Sequence, residues 1–161
     1  MELLGARERK KGHPMLVESI LPVAKQRMIT VQTDASLVDA ANLLSDTHRA
    51  LLVVCNEDGA IAGVVTKTDV VRQVAKYHGV VDNIRVSIVM TQDVTSCRPN
   101  DLLHDVLALM KSRGFVHIPI VGTDFRPRGV VNARDALQAL LREVKDEELL
   151  LRAYVMGVGY R

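Results

Sequence analysis

The chain has 161 residues, a formal net charge of +2 at pH 7, an aromatic content of 3% and no Trp. A hydrophobic fraction of 48% beside 25% charged residues is typical of a globular protein that buries a sizeable core. The few aromatic side chains and the balanced charge argue against a dedicated binder of single-stranded nucleic acid, which needs stacking platforms and a basic groove.

The first residues, 1–16, are expected to form a flexible segment, which carries four Lys and Arg side chains between Arg7 and Lys11. A solvated terminus is a better interpretation of this cluster than an arm that binds nucleic acid or membrane. No apolar stretch has the length of a signal peptide or a membrane span. Cys55 and Cys97 lie outside any C-x-x-C pair, so a soluble cytoplasmic protein without disulfides is expected.

The sequence contains an internal duplication. Sliding the chain by 66 residues places the Gly-Val-Val triplet at 63–65 on the identical triplet at 129–131, and Asp69 on Asp135, without a gap. Further matches join Val23 to Val89, Leu37 to Leu103, Asp39 to Asp105, Leu43 to Leu109, and Asp58 to Asp124. An ungapped series of this kind predicts two copies of one structural unit.

The first copy predicts the order β-α-β-β-α. A short strand at 29–31 precedes a helix with apolar residues at i, i+3, i+4 and i+7 from Leu37, capped by Ser36. Continuous apolar runs at 50–55 and 61–66 predict two strands joined by a turn with Gly59. A second helix is predicted over 68–76.

The second copy predicts the same order after a linker at 78–90. A strand at 94–97 precedes a helix that begins near Leu103 and is capped by Asn100 or Asp101. The remaining expected elements are strands at 116–121 and 128–131 and a long helix from Ala133 to about Tyr154. Pairing two such units buries the open face of each sheet.

The duplicated triplets begin a motif that resembles the CBS domain family, whose tandem pairs are also called Bateman modules. Residues 63–69, GVVTKTD, match the family signature G-h-h-[ST]-x-x-[DN] in full, where h is apolar. Residues 129–135, GVVNARD, depart from it by having Asn in place of Ser or Thr. The segments 87–94, SIVMTQDV, and 117–120, HIPI, are also similar to family segments, although the first copy has no equivalent Pro.

The resemblance covers about residues 17–143. It implies two tandem β-α-β-β-α repeats, at 17–80 and 81–143, that pack with pseudo-two-fold symmetry. Residues 144–161 are expected to form a C-terminal helical extension. The fold class is therefore α/β, in the broad sense that includes α+β, with a long C-terminal helix.

Thr66, Thr68 and Asp69 lie where a predicted strand meets a predicted helix. The N–H groups of a helix start bind phosphate, hydroxyls bond phosphate or sugar oxygens, and a carboxylate accepts from both ribose hydroxyls. A simpler interpretation is that Thr66 or Thr68 caps the helix and Asp69 stabilises its first turn. The resemblance favours ligand binding, because the matching Asp holds the ribose in nucleotide-binding members.

The equivalent residues of the second copy are Asn132, Arg134 and Asp135. Arg134 has three interpretations: it clamps a phosphate, fills the cleft or lies in solvent. The two clefts are therefore expected to differ in affinity or ligand. For adenine, the resemblance implies an apolar slot from Met28 and Ile29 in one cleft and from Val94 and Thr95 in the other, although ordinary core packing also explains such side chains. Phe115 and Arg49 occupy equivalent positions in the two copies, near the predicted strands at 116–121 and 50–55.

Catalytic and metal motifs are absent from the sequence. It contains no Walker loop, Ser elbow or paired catalytic carboxylate, and its five histidines lack a metal-ligand spacing. The adjacent His104 and Asp105 resemble a metal pair only superficially. The expectation is a protein that is not an enzyme and requires no metal or cofactor.

The leading hypothesis is a regulatory module that senses an adenine nucleotide, namely AMP, ADP, ATP or NAD, through a ligand-dependent change in repeat orientation. An unknown effector protein would read that change. The alternative is a ligand-free scaffold or dimerisation protein. The apolar positions of the last helix predict a homodimer in either case, and nucleic-acid binding through the basic N-terminus is a third, weaker hypothesis.

Overall fold

The structure is a computed structural model that describes residues 14–156. The basic cluster between Arg7 and Lys11, and most of the segment 1–16 expected to be flexible, lie outside the described residues. The end of the expected extension, 157–161, lies outside them as well.

The described chain begins with two short helices that were not predicted. A 3-10 turn at Val17–Ile20 runs directly into α1, Leu21–Arg27. Pro22 occupies the first turn of α1, where its missing N–H costs nothing and its fixed φ favours a helix. This proline was an available signal for a helix start.

The rest of the first repeat follows the predicted order. Its elements are β1, Thr30–Gln32; α2, Leu37–Thr47; β2, Leu51–Cys55; β3, Ile61–Thr66; and α3, Lys67–Lys76. The strands form one sheet in the order β1-β2-β3, with β1 parallel and β3 antiparallel to β2. The predicted cap of α2 is confirmed, because Ser36 Oγ accepts from the Asp39 N–H at 3.0 Å.

The second repeat has fewer strands. Its elements are α4, Val86–Val89; α5, Leu103–Arg113; β4, His117–Val121; β5, Pro127–Asn132; and α6, Ala133–Val155. The antiparallel strands β4 and β5 form a two-stranded sheet. The predicted linker at 78–90 therefore contains a helix, and Val86 in it is fully buried.

The strand predicted at 94–97 is wrong. Only a single parallel bridge joins Cys97 to Ile120. The Cys97 N–H donates to the Pro119 carbonyl at 3.0 Å, and the Cys97 carbonyl accepts from Val121 at 2.8 Å. This bridge corresponds to the centre of the β1–β2 pairing in the first repeat.

Two prolines explain the lost strand. In the first repeat, the N–H groups of Val53 and Thr33 donate across the parallel pairing on either side of its centre. The equivalent positions in the second repeat are Pro119 and Pro99, neither of which has an N–H to donate. The parallel pairing in the second repeat is therefore reduced to the single bridge between Cys97 and Ile120.

The capping prediction for α5 is also wrong. Leu102 is the N-cap residue and makes no side-chain capping bond. The Asp101 carboxylate instead accepts from the Arg98 N–H at 2.8 Å, so it closes the preceding turn. Asn100 is exposed.

The repeats exchange their leading helices. Val17, Ile20 and Ala24, which precede the first repeat's sheet, are buried in one cluster with residues of the second repeat such as Leu103 and Ile118. In return, Val86 is buried with the first repeat's core: Val31, Ala40, Leu44, Leu52, Val54 and Val65. Each core is therefore completed by the segment that precedes the other repeat.

The two sheets meet in a third cluster. Leu51, Val53 and Cys55 on one face of β2 pack with Val130 of β5. The opposite face of β2 belongs to the first repeat's own core, so every residue of this strand is buried. The fold class and the pairing of two repeats are thus as predicted.

The last helix extends beyond the body of the protein. α6 has 23 residues, against 10 in α3, and most of its apolar side chains beyond Leu140 are exposed. Within residues 14–156, no helix combines the length and the apolar character needed to cross a membrane.

Candidate functional site

A cavity of about 420 Å³ brings together five of the residues predicted to bind a ligand. We call it cleft A. The first repeat contributes Thr66, Thr68 and Asp69, and the second contributes Val94 and Thr95. Other lining residues are Leu51, Val64, Lys67, Asp93, Phe115, Val116 and His117. Cleft A therefore combines polar groups at a helix start with apolar side chains from both repeats.

The polar edge of cleft A is the N-terminus of α3, which begins one residue earlier than predicted. Thr66 is the N-cap, and its Oγ1 accepts from the Asp69 N–H at 3.2 Å. Asp69 Oδ2 accepts from the Thr66 N–H at 2.8 Å and from the Thr66 hydroxyl at 3.0 Å. The two residues form a capping box, so the structural interpretation of this motif is realised.

The capping box leaves part of Asp69 available. Within residues 14–156, its Oδ1 accepts a hydrogen bond only from the exposed Arg72 guanidinium, at 3.2 Å. Exposed ion pairs of this type are weak, and a ligand hydroxyl can replace or join the arginine. Thr68 is exposed at the same helix start. The cap and a ligand contact are therefore compatible.

Two charged residues of cleft A were not predicted from the sequence. Asp93 and Lys67 line the cavity beside the predicted residues. Each directly precedes a predicted residue, Val94 and Thr68 respectively, and this adjacency was the available signal. They place one carboxylate and one ammonium group at the cleft.

The equivalent position in the second repeat is occupied by an ion pair. Arg27, at the end of α1, holds both carboxylate oxygens of Asp135, with Nη2 to Oδ1 at 2.8 Å and a second bond through Nε. The hydrogen bond to Asp135 raises the pKa of Arg27. Arg134 is exposed. Arg27, rather than Arg134, is thus the side chain that engages Asp135.

Asn132 has a defined orientation. Its Oδ1 accepts from the N–H groups of Arg134, at 2.9 Å, and Asp135, at 3.2 Å, so it caps α6. The Nδ2 group therefore points to His117 Nε2, at 3.0 Å. Since Nδ2 can only donate, His117 Nε2 accepts and the neutral ring carries its proton on Nδ1.

The environment of His117 favours the neutral ring. Burial lowers the pKa of His117, the nearby charges of Arg27 and Arg49 lower it further, and Asp135 acts in the opposite direction. Desolvation and like charge both disfavour an imidazolium.

A second, smaller cavity lies beside these residues. We call it cavity B; it has a volume of about 140 Å³ and is lined by Arg27, His48, Arg49 and His117 together with apolar residues. The predicted adenine contacts Met28 and Ile29 do not line it. Met28 packs at the junction of the sheets and Ile29 on the first repeat's core.

Cleft A and cavity B differ in charge at equivalent positions. In the 66-residue register, Asp93 corresponds to Arg27, Phe115 to Arg49 and Gly114 to His48. The equivalent positions thus have different chemistry in the two repeats. Cleft A suits a neutral, partly apolar group that donates hydrogen bonds, and cavity B suits an anion.

A larger groove, of about 610 Å³, runs along α6 beside α1. Its ionisable side chains are mostly acidic, including Glu143, Asp146 and Glu147. Asp135 is the only residue predicted to bind a ligand that also lines this groove. This groove is larger than cleft A but contains fewer of the residues predicted to bind a ligand. Among residues 14–156, no three His, Cys, Asp or Glu side chains are grouped closely enough to hold a metal ion.

The family model of the CBS domain matches the chain twice, at residues 17–76 and 84–142. The chain belongs to the CBS domain family. A CBS-domain-containing protein from Agrobacterium tumefaciens has a solved structure that is 27% identical, with a TM-score of 0.68 over 78% of this chain and 98% of that one. The structure of CBSX2 in complex with AMP is 22% identical, with a TM-score of 0.67 over 79% and 96% of the two chains.

The curated relatives of this CBS-pair chain differ in length. An uncharacterised 17.7 kDa protein of Acidianus ambivalens is 25% identical over 126 residues, which are 78% of this chain and 75% of the relative. A homoserine O-acetyltransferase of Methanococcoides burtonii is 26% identical over 117 residues, which are 73% of this chain but 23% of the relative. The chain thus spans three quarters of one curated relative and less than a quarter of the other.

Proposed function

We propose that the chain is a regulatory module that binds an adenine nucleotide in cleft A. The observation that carries this proposal is the convergence of Thr66, Thr68 and Asp69 from one repeat with Val94 and Thr95 from the other, around one 420 Å³ cavity. That volume lies within the range of small-molecule sites, about 300–1,000 Å³. AMP is the first candidate, and ADP, ATP and NAD are the others.

The chemistry of cleft A fits a nucleoside. Asp69 Oδ1, which accepts from the exposed Arg72 guanidinium, can also accept from ribose hydroxyls, and the Thr68 hydroxyl offers a second polar contact. Val64, Val94 and Phe115 supply apolar surface for a base. Phe115 is 41% exposed, so stacking a base on its ring would bury apolar area that now faces water.

The relationship to CBSX2 supports the choice of AMP. That protein shares the fold of this chain and has been crystallised with AMP. Since the identity is only 22%, the likeness supports the class of ligand and leaves its identity to experiment.

The position of cleft A between the repeats provides a regulatory mechanism. A ligand that contacts both repeats favours the relative orientation that it binds best, by an amount limited by its differential affinity for the two states. An effector protein would read this change in orientation. We assign the chain no catalysis of its own and place it in the cytoplasm, where its two buried, unpaired cysteines would stay reduced.

The test is calorimetric binding of adenosine, AMP, ADP, ATP and NAD, together with thermal unfolding. We expect one or more of these compounds to bind the native chain and to raise its unfolding temperature. Asp69→Ala should weaken binding at least tenfold, because it removes the only carboxylate at the start of α3 among the described residues.

Asp69→Ala also removes a helix cap, so it needs a matched control. Ser36→Ala removes the cap of α2, which lies outside cleft A, at a comparable cost of about 1 kcal/mol. Ser36→Ala should lower the unfolding temperature and retain the wild-type affinity. Failure of the whole panel to bind wild-type protein would contradict the proposal.

A second candidate is dimerisation through α3 and α6, as in the scaffold hypothesis. Leu137, Leu141, Val144, Leu151 and Val155 recur on one face of α6, and each is at least 48% exposed. Val71 of α3, which is equivalent to Leu137, is 67% exposed. The duplicated apolar positions suit a second copy of the chain, because a two-fold dimer uses the same surface on both partners.

Light scattering after gel filtration tests the dimer. Wild type should have twice the mass of one chain, and Leu141→Asp with Val144→Asp should reduce it to one chain. Ala108→Asp, at an exposed position of α5, is the control and should leave the dimer intact. A wild-type monomer would exclude this second candidate and leave nucleotide binding untouched.

A further inference from the structure

The groove of about 610 Å³ along α6 has an apolar floor and an acidic rim, and we call it the α6 groove. The floor is formed by side chains from the start of the described chain and from α6: Met15, Ile20, Pro22, Val23, Ala139 and Leu150. Leu150 is 72% exposed, so part of this surface faces water. An occupant that covered the floor would gain free energy by burying apolar area.

The acidic rim consists of Glu143, Asp146 and Glu147. Their spacing of i, i+3 and i+4 places them on one side of α6. None of them forms an ion pair with a Lys or Arg side chain in residues 14–156. The fourth carboxylate of the groove, Asp135, is already paired, and Arg142 is the one cation among the described lining residues. The rim therefore suits an occupant with several cationic side chains.

The α6 groove and the apolar face of α6 lie on different sides of the helix. Residues two positions apart in an α-helix point to nearly opposite sides. Leu141 and Val144 of the apolar face each stand two positions before a rim residue, Glu143 and Asp146 respectively. A second copy bound through the apolar face would therefore leave the groove uncovered.

The first residues of the chain have a composition that matches the groove. Residues 1–13 precede the described part and contain four basic side chains, between Arg7 and Lys11, against two Glu. Leu3 and Leu4 add apolar side chains near the start. The segment thus combines the positive charge that the rim lacks with apolar groups for the floor.

The segment is attached at the groove itself. Met15, which follows it after one residue, lines the groove. Residues 7–13 can span up to about 23 Å when extended, at roughly 3.3 Å per residue. The distance from Asp135 to Leu150 along α6 is similar, about 22 Å at 1.5 Å per residue. Because the segment is tethered, its effective concentration at the groove is high, and individually weak ion pairs suffice to hold it.

We propose that residues 1–13 dock in the α6 groove of the same chain, with their basic side chains on the acidic rim and with Leu3 and Leu4 on the apolar floor. The groove is then an intramolecular docking site. This proposal is independent of nucleotide binding in cleft A, which shares no lining residue with the groove.

The first experiment is cross-linking of the full chain with a carbodiimide, which joins an amine to a carboxylate in contact with it. An equal mixture of unlabelled and ¹⁵N-labelled chains separates links within one chain from links between two chains by mass spectrometry. We expect Lys10 or Lys11 to be joined to a rim carboxylate in peptides of a single isotopic composition. At about 1 M NaCl, the yield should fall at least threefold, because exposed ion pairs are screened.

The second experiment measures the rate of tryptic cleavage between Arg7 and Lys11 in the full chain. Replacing the rim by neutral isosteres, with Glu143→Gln, Asp146→Asn and Glu147→Gln together, should raise this rate about fivefold, because cleavage follows the population of the undocked segment.

The matched control for the rim variant neutralises three exposed carboxylates outside the groove, with Asp46→Asn, Glu57→Gln and Asp82→Asn together. Its cleavage rate should equal that of wild type. Thermal unfolding of both triple variants verifies that each is folded.

A charge swap completes the test. Lys10→Glu with Lys11→Glu should raise the cleavage rate at Arg7, and adding Asp146→Lys with Glu147→Lys should restore protection. The swapped chain should also recover the cross-link between the segment and the rim, with amine and carboxylate exchanged.

The proposal requires both a link within one chain and faster cleavage of the rim variant. Links found only between isotopically different chains would assign the groove to a second copy and overturn it. Equal cleavage rates in wild type, rim variant and control would overturn it as well. Neither result affects cleft A, whose nucleotide binding is measured separately.

Discussion

Gly129 lies directly against Ala24, across the contact between β5 of one repeat and α1 of the other. A Cβ atom built on Gly129 would come within 2.9 Å of both the carbonyl carbon and the Cβ of Ala24. Gly63 has the equivalent relationship to the segment after α4, where its Cβ would lie 2.7 Å from the Thr91 carbonyl oxygen. Both glycines of the duplicated triplet are therefore required by close approach of an exchanged segment.

Gly129→Ala should destabilise the protein, because the backbone of α1 must move away from β5 to admit a methyl group. Overpacking of this kind costs about 1–3 kcal/mol. Urea unfolding should show a lower midpoint with an unchanged slope. Ala108→Ser, at an exposed position of α5, should stay within about 0.5 kcal/mol of wild type. A Gly129→Ala variant as stable as wild type would show that this contact is looser than described.

The stability of the protein should fall as the pH drops below neutrality, in part because of His117. Its pKa in the folded protein is below the ordinary value of about 6.5, mainly through burial. The unfolded chain therefore binds the proton more readily. The contribution of His117 is fully present above about pH 6.5 and is lost as the pH falls through that value toward the folded pKa.

The measurement is urea unfolding at pH 7.5 and pH 5.5 for wild type, His117→Gln and His104→Gln. His117→Gln should lose less stability between the two pH values than wild type does. His104, whose side chain is 84% exposed, is the control, and its variant should follow wild type. An identical pH dependence in all three proteins would contradict the assignment.

Cys97 should be unreactive toward thiol reagents in the folded protein. Burial, with a smaller effect of Asp101, raises the pKa of Cys97 to about 12, and burial also raises the pKa of Cys55. Since the thiolate is the reactive species, few molecules can react at pH 8. Labelling should be fast in denaturant and slow without it.

The single-cysteine variants Cys55→Ser and Cys97→Ser assign this protection to each thiol. Mass spectrometry after a timed exposure to iodoacetamide gives the labelled fraction. Rapid labelling of native Cys55→Ser would show that Cys97 is accessible. The comparison requires that both variants unfold at similar urea concentrations.

Local chemistry made much of the fold predictable. The duplicated triplet and the apolar periodicity from Leu37 predicted the order of elements, because burial at fixed spacing determines which side of a helix or strand faces the core. Ser36 predicted the start of α2 because a helix cap depends only on neighbouring residues, here the Ser36 side chain and the Asp39 N–H. The prediction failed at 94–97, where Pro99 and Pro119 remove donors on two different segments. The missing strand could be foreseen only if the segment at 94–97 was first aligned with the strand that contains Pro119.

The candidate site was only partly predictable. The sequence identified Thr66, Thr68 and Asp69 through their position between a strand and a helix. It did not determine that Val94 and Thr95 join this group, since the exchange of leading segments is a long-range property of the fold. The Arg27–Asp135 pair, separated by 108 positions, carries no local signal either.

The exchanged segments have a consequence for a chain that is cut. A break near Gly79, where a positive φ of 87° marks an exposed turn, would give two fragments that each retain a helix belonging to the other's core. Neither fragment could close its own hydrophobic cluster. The halves should therefore stay associated after proteolysis and reassemble when expressed as separate polypeptides, which makes this turn a natural position for a split protein.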